Sequence, residues 1–151
     1  MTQAVVQTLT GALGAIGFSI LFNVRGRKLA AAGLGASLSW IVYLILFEIY
    51  GDKVISLFGA TLTVAILSEI LARVMKAPVI ILLVPMLVPL IPGSDLYYTT
   101  INMVQGNARE FAQSLSLVMR EAGAIAFAII LVTSSVQIIM KIYRYYSQSN
   151  K

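Results

Sequence analysis

The sequence predicts an all-α integral membrane protein that crosses the bilayer about five times as one transmembrane domain, residues 1–151. Hydrophobic residues make up 59% of the chain and charged residues 11%, which is too little charge to cover a globular surface with water-compatible groups. The apolar residues also form blocks of about 20, the helix length that crosses a hydrocarbon core of about 30 Å. These observations exclude a soluble enzyme.

Short charged segments separate the apolar blocks and mark where each span ends. The N-terminal block lacks the basic n-region of a cleaved signal peptide, so it is read as the first span. Polar residues at helical spacing in 107–121 predict an amphipathic helix that leads into the last span. The predicted spans are about 5–22, 29–50, 54–72, 78–92 with a broken continuation at 94–106, and 122–142.

The basic residues predict the orientation of the chain. With the N-terminus outside and the C-terminus inside, eight of the eleven lie on the cytoplasmic side, as the positive-inside rule requires. The other three, Lys53, Arg109 and Arg120, each adjoin a carboxylate residue. Because the charges sit at the ends of apolar blocks, the net charge of +5 does not indicate a nucleic-acid partner. The cytoplasmic set is Arg25, Arg27, Lys28, Arg73, Lys76, Lys141, Arg144 and Lys151.

Three prolines interrupt the fourth apolar run. Pro85, Pro89 and Pro92 each remove a backbone donor and clash with the preceding turn. Residues 79–91 would span only about 20 Å as a helix, which is short of the hydrocarbon core, and interrupted backbone in lipid needs protein or water to pair with its carbonyl groups. Prolines also kink ordinary membrane helices, but three of them followed by Gly93 favour a broken helix that is buried in the bundle or lines a wet cavity.

The start of the second half-helix is the predicted binding site. Its free N–H groups and positive dipole end could bind a carboxylate, and Asp95 could bind an ammonium group. Alternatively, Ser94 or Asp95 only caps the helix. Tyr97 and Asn102 add neutral hydrogen-bonding groups. Discontinuous helices of this kind form substrate sites in many secondary transporters.

The composition gives no support for other chemistry. Without cysteine or histidine the chain cannot build thiol chemistry or the usual zinc sites, and we expect neither a metal nor a cofactor. It also lacks a Ser–His or paired-carboxylate arrangement, so we do not expect an enzyme. No ionisable residue falls at the middle of the first, second, third or last span, so a proton relay contained wholly in this chain is not expected. Glu69 and Arg73 are spaced to pair across one helical turn.

Small residues recur at helical spacing in the first two spans. Gly11 and Ala15 lie on one line of the first span, and Ala31 and Gly35 repeat the spacing in the second. Such rows allow close helix approach. They predict packing within one bundle, with a subunit interface as the alternative.

Two segments of the chain, GAIGFSILFNVRGRKLAAAGLGASLSW and VPMLVPLIPGSDLYYT, together resemble the threonine/serine exporter family. More narrowly they resemble its short, split-type subunit, which corresponds to the C-terminal half of the full-length exporters. The similarity runs from about residue 14 to about residue 106. Ser94 and Asp95 depart from the mostly apolar or small residues expected after the Pro-Gly pair. The positions carried over from the family are Asn23, Pro89, Pro92, Gly93 and Tyr97.

The resemblance implies efflux of threonine and serine across the bacterial cytoplasmic (inner) membrane, driven by the proton motive force. It also implies a larger membrane subunit that resembles the N-terminal half of the family. A related split pair is associated with dicarboxylate export, so a succinate-like substrate is an alternative, although the scarcity of central charges favours a zwitterion over a dianion. A non-transporting structural or assembly subunit is a further alternative. A homo-oligomer without the larger partner would favour self-sufficient transport.

Overall fold

The computed structural model describes residues 2–149, with side chains in the last helix up to Tyr143 and that of Tyr145. Two of the predicted cytoplasmic charges, the side chain of Arg144 and all of Lys151, lie outside the described part. Every regular element of residues 2–149 is helical, which confirms the all-α prediction. The elements are α1 (Thr2–Leu21), α2 (Arg27–Tyr50), α3 (Lys53–Val74), α4 (Val79–Leu87) with a 3₁₀ turn (Val88–Leu90), α5 (Gly93–Val104) and α6 (Ala108–Ser149).

Four of these helices, α1, α2, α3 and α6, are long and apolar enough to cross a membrane. A fifth crossing results if α4 and α5 together form one span, and the two meet at a bend of 63°. This confirms the prediction of about five membrane helices, the fourth broken by proline and glycine. Leu13, Leu34 and Ile130 are each more than half exposed on the outside of the bundle, as lipid-facing side chains are.

The short helix α4 is the half of the broken segment that three long helices surround in part. It packs against α1, α2 and α3. Leu82, Met86 and Leu90 recur at intervals of four residues, so they share one helix face, and each is at most 1% exposed. This face of α4 and the 3₁₀ turn is therefore held by protein, as interrupted backbone in a membrane requires, whereas α5 packs against α6 and most of its side chains are exposed.

Small residues let the neighbouring helices approach α4 closely. A Cβ atom added to Gly35 would lie 2.5 Å from Met86 Sδ, and one added to Gly11 would lie 3.3 Å from Pro89 Cβ. Ala15 on α1 is fully buried. The rows of small residues therefore serve packing within the bundle, as the first of the two interpretations predicted.

A two-residue turn joins α2 to α3 and fixes where α3 begins. Gly51 has a φ of 65°, a left-handed conformation that glycine adopts without strain, and its N–H donates to the Phe47 carbonyl at 2.9 Å. Asp52 then caps α3, because its Oδ1 accepts a hydrogen bond from the Ile55 N–H at 2.9 Å. Asp52 is thereby engaged with backbone, and Lys53, the first residue of α3, pairs elsewhere.

The predicted amphipathic helix 107–121 and the predicted last span 122–142 form one continuous helix, α6. No proline follows Pro92 in the sequence, and Gly123 alone costs too little to stop a helix. Helix α6 packs against α3 and α5. Its first turns carry exposed Arg109 and Arg120, while Val118 on the opposite side is buried.

Candidate functional site

A polar cavity of about 340 Å³ opens at the break between α4 and α5, and we refer to it as the break cavity. Four elements converge on it: α2, α3, the connection from the 3₁₀ turn into α5, and α6. The break itself supplies the cavity wall because its backbone leaves helical geometry at Ile91 and Pro92. The other lining residues are Trp40 and Tyr43 of α2, Lys53 and Leu57 of α3, Pro89, Leu90, Gly93, Ser94 and Asp95 along the broken segment, and Glu121 of α6.

Backbone groups freed by the prolines find partners within the protein. Ser39 on α2 is fully buried, and its hydroxyl donates to the Ala36 carbonyl at 2.7 Å, with the Met86 carbonyl oxygen as a second acceptor at 3.3 Å. The Val88 N–H turns to the Pro85 carbonyl, and the Ile91 N–H turns to the Val88 carbonyl, so the chain tightens into a 3₁₀ turn. These contacts satisfy the requirement that interrupted backbone in a membrane be paired.

An ion pair between Lys53 and Asp95 lies on the break cavity. Lys53 Nζ is 2.8 Å from one Asp95 carboxylate oxygen and 3.1 Å from the other. The Lys53 side chain is 42% exposed and the Asp95 side chain 17%. Asp95 stands in the first turn of α5 but does not cap it, since the start of α5 has no side-chain cap. The interpretation of Asp95 as a helix cap is therefore wrong, and its charge is directed at a cation.

Two polar groups on the break cavity have no partner among the described residues. Glu121 is 1% exposed, and neither of its carboxylate oxygens accepts a hydrogen bond there. The Trp40 indole Nε1 is also buried without an acceptor. Buried polar groups in proteins are almost always paired, so groups left unpaired on one cavity indicate that a ligand or water supplies the missing contacts. The Glu121 carboxylate can accept hydrogen bonds from a cation such as an ammonium group, and the Trp40 N–H can donate one to an oxygen atom.

Five of the eight predicted site residues line the break cavity: Pro89, Pro92, Gly93, Ser94 and Asp95. The broken backbone brings them together because they are nearly consecutive in sequence. Gly93 lies at the first position of α5, and a Cβ added to it would meet nothing within 4 Å, so open space adjoins it.

The other three predicted residues do not line the break cavity. Asn23 follows α1 with a φ of 57° and donates its N–H to the Ile20 carbonyl, so it shapes a turn. Tyr97 is 61% exposed and packs edge-on against Tyr98. The carbonyl of Asn102 accepts from the Asn107 N–H at 3.0 Å, which helps to end α5.

Seven lining residues were not predicted as site residues, and the four of them that carry a polar side-chain group are Trp40, Tyr43, Lys53 and Glu121. A sequence signal did exist for Glu121. It lies on the same helix face as the apolar residues Val118, Ile125, Ala128 and Val132. A single carboxylate on an apolar helix face is costly in a membrane protein and therefore indicates a functional residue. Lys53 carried no such signal, because its partner Asp95 is 42 residues away.

A second polar groove of about 400 Å³ lies between the far ends of α3 and α6. There Glu69 and Arg73 form the predicted ion pair at 2.8 Å, and Gln137 and Lys141 complete the wall. Twenty residues separate Lys53 from Arg73, and twenty separate Glu121 from Lys141. As helix this spacing is about 30 Å, the thickness of a hydrocarbon core, so the two polar clusters stand one membrane thickness apart.

Comparisons with known proteins agree with the geometry. Residues 7–135 match the family described as "Threonine/Serine exporter, ThrE". A Haemophilus influenzae protein described as uncharacterized is 29% identical over 115 residues, which cover 76% of this chain and 39% of that protein, so the chain spans about two fifths of its relative's length. No solved structure matches the chain. Because the match covers most of its length, the chain belongs to the threonine/serine exporter family of membrane transport proteins.

Proposed function

We propose that this chain is a subunit of a secondary transporter that exports threonine and serine across the bacterial cytoplasmic membrane, with the solute bound in the break cavity. The observation that carries the proposal is the cluster of Lys53, Asp95 and Glu121 on a cavity at a broken membrane helix. Ionisable residues are expensive inside a membrane protein and are retained where a solute or ion passes. Membership of the family supports the same conclusion.

The charges of the break cavity favour an amino acid over a dicarboxylate. Two carboxylates, Asp95 and Glu121, face one ammonium, that of Lys53. A zwitterion can offer its own ammonium to a carboxylate and its own carboxylate to Lys53, to the Trp40 N–H or to the uncapped start of α5. A dianion would find a single cation, which is already paired with Asp95, and two carboxyl groups that offer it no positive charge. Succinate-like solutes are therefore the less favoured alternative.

We propose the same orientation that the basic residues predict, with the N-terminus outside. In that orientation the break cavity lies towards the outer face, and the second polar groove, which contains Arg73 and Lys141, lies towards the cytoplasm. We also propose a larger membrane subunit as partner. The most apolar stretches of α1 and α6 are only 11% buried, which leaves broad faces for lipid and for that subunit. These faces would equally serve a second copy of the chain if no larger partner exists.

Transport by the purified protein tests the proposal. The chain is isolated from its native membranes with its bound partner and placed in liposomes. The liposomes are then loaded with labelled threonine, serine or succinate. We expect threonine and serine to leave the liposomes and succinate to remain. Asp95→Asn should slow threonine export about tenfold or more, since a lost charged contact is worth at least about 1.4 kcal/mol, while Arg109→Gln on the exposed start of α6 serves as the control.

Each alternative has its own outcome in this experiment. Export of succinate alone would establish the dicarboxylate function and contradict ours. Full export by the partner in liposomes without this chain would establish a structural or assembly role. Export by this chain alone would remove the larger subunit from the proposal and leave the cavity in place.

A further inference from the structure

The Glu121 carboxyl group is buried in the bundle, and this raises the question of whether it is protonated or ionised. The residue is 1% exposed, and no described residue donates a hydrogen bond to it. An ionised carboxylate that is buried and unpaired costs several kcal/mol, so such a group is found protonated or bound to a cation. The question is which cation.

None of the charged and titratable groups around Glu121 is a cation free to pair with it, and the neighbouring Asp95 carboxylate repels its ionised form. Lys53 on α3 is within electrostatic reach, but both of its contacts go to Asp95 of α5. Tyr43 of α2 interacts with Glu121 and carries no charge near neutral pH. Arg120 precedes Glu121 on α6 and is exposed, so solvent screens it. Lys53 and Asp95 neutralise each other, and an ionised Glu121 would leave the cavity with one uncompensated negative charge.

We propose that Glu121 carries a proton when the break cavity is empty and exchanges it for the ammonium group of the bound solute. The proton and the solute then compete for one carboxylate. This inference rests on the proposed function, because it assigns a role to one residue of the proposed site.

The exchange is balanced in atoms and charge. When the solute enters, the O–H bond of the Glu121 carboxyl group breaks and its proton passes to water. The carboxylate then accepts hydrogen bonds from the solute ammonium, and no electrons are transferred. The empty cavity is neutral, with a protonated Glu121 beside the Lys53–Asp95 pair. In the filled cavity the solute ammonium balances Glu121, and the one net negative charge that remains belongs to the solute carboxylate, for which the Trp40 N–H and the uncapped positive end of α5 offer hydrogen bonds. Solute moving one way and a proton moving the other then share a single residue. Such a site needs no proton relay through the chain.

The exchange has a measurable signature in equilibrium binding. As long as empty Glu121 is protonated, each solute molecule that binds releases up to one proton. The affinity for threonine then rises about tenfold for each unit of pH, because proton release and pH dependence are the same linkage. A carboxylate that is ionised throughout would show neither effect.

The test uses the chain purified with its native partner and labelled threonine as the probe. The dissociation constant is measured over about three pH units, and proton release on binding is measured in weakly buffered solution. We expect release of up to one proton per threonine and a rising affinity for the wild type. Glu121→Gln, which keeps the shape but cannot exchange a proton, should bind weakly and with a flat pH profile. Glu110→Gln, on the exposed first turn of the same helix, should behave as the wild type.

The outcomes separate this inference from the proposed function. Threonine binding without proton release, at an affinity that does not change with pH, would overturn the role of Glu121 and leave the transporter proposal standing. Absence of threonine binding to the wild-type complex would overturn both. If Glu121→Gln does not fold, proton release by the wild type decides the matter alone. Retained proton release in a folded Glu121→Gln protein would assign the exchange to another group and refute the inference.

Discussion

Removing either partner of the Lys53–Asp95 ion pair should destabilise the protein, but by unequal amounts. The two groups meet at 2.8 and 3.1 Å, so at an effective dielectric constant of about 20 the Coulomb attraction is about 5 kcal/mol. The Lys53 side chain is 42% exposed, and solvent screening together with the ordering of that long side chain reduces the net value to about 1–2 kcal/mol. This is the coupling energy that we expect between the two residues.

The inequality comes from Glu121. When Asp95→Asn removes the carboxylate, Glu121 can ionise and take its place beside Lys53, so we expect a loss of only about 1 kcal/mol. When Lys53→Met removes the ammonium, Asp95 remains half-buried beside a second carboxyl group with no cation. Leaving such a group unpaired adds its desolvation cost, and we expect a loss of about 2–3 kcal/mol.

A double-mutant cycle measures both quantities. The free energy of unfolding is determined by SDS titration in mixed micelles at neutral pH for the wild type, the two single variants and the double variant. Arg109→Met, which removes an exposed charge from α6, is the control and should change the free energy by less than about 0.5 kcal/mol. A larger loss for Asp95→Asn than for Lys53→Met, or a coupling energy near zero, would refute this view of the charge cluster.

Three further predictions concern packing, capping and orientation. Gly35→Val should lower the free energy of unfolding by about 1–3 kcal/mol in the same assay, because a Cβ there would lie 2.5 Å from a buried methionine sulfur. Gly17→Val, where a Cβ meets nothing within 4 Å, should be nearly neutral, and equal effects of the two substitutions would contradict the packing account. Asp52→Ala should cost about 0.5–2 kcal/mol through loss of the α3 cap, and no loss would show that the cap contributes nothing. Since the sequence has no cysteine, single-cysteine variants report exposure cleanly: a membrane-impermeant maleimide should label Arg109→Cys in intact cells and Lys28→Cys only after lysis, and the reverse result would invert the proposed orientation.

Much of the fold could be predicted from the sequence because a lipid solvent constrains helices strongly. Blocks of about 20 apolar residues and the charges between them give the first three long helices to within a few residues, whereas α6 (Ala108–Ser149) joins the predicted amphipathic helix and the predicted last span in one helix. A break was predictable too, since closely spaced prolines end a regular helix. The expectation that each proline interrupts the helix was wrong for Pro85, because α4 continues through it to Leu87. The bend of 63° and the packing of α4 against three helices were not predictable, because they depend on tertiary contacts, such as that of Gly35 with Met86, that one sequence does not reveal.

The candidate site was only partly predictable, for a related reason. Residues 89–95 are neighbours in sequence, and local backbone chemistry alone brings them to one place. Lys53 and Glu121 reach the same cavity through tertiary packing, over separations that one sequence does not reveal. Each also adjoins a residue of opposite charge, Asp52 or Arg120, which suggested a local pair. In the structure Asp52 caps α3 and Arg120 is exposed, so neither residue forms an ion pair with its neighbour in the sequence.

Filling the break cavity while leaving the rest of the bundle intact tests the central claim most directly. Gly93 lines the cavity, its φ lies outside the left-handed region, and a Cβ there meets nothing within 4 Å, so Gly93→Leu places a side chain in open space without backbone strain. Gly17→Leu makes the same change on the exposed side of α1, away from the cavity. Threonine export from liposomes that contain the complete transporter is then compared at equal protein levels. We predict that Gly93→Leu abolishes export and Gly17→Leu preserves it. Undiminished export by Gly93→Leu would show that the solute binds elsewhere.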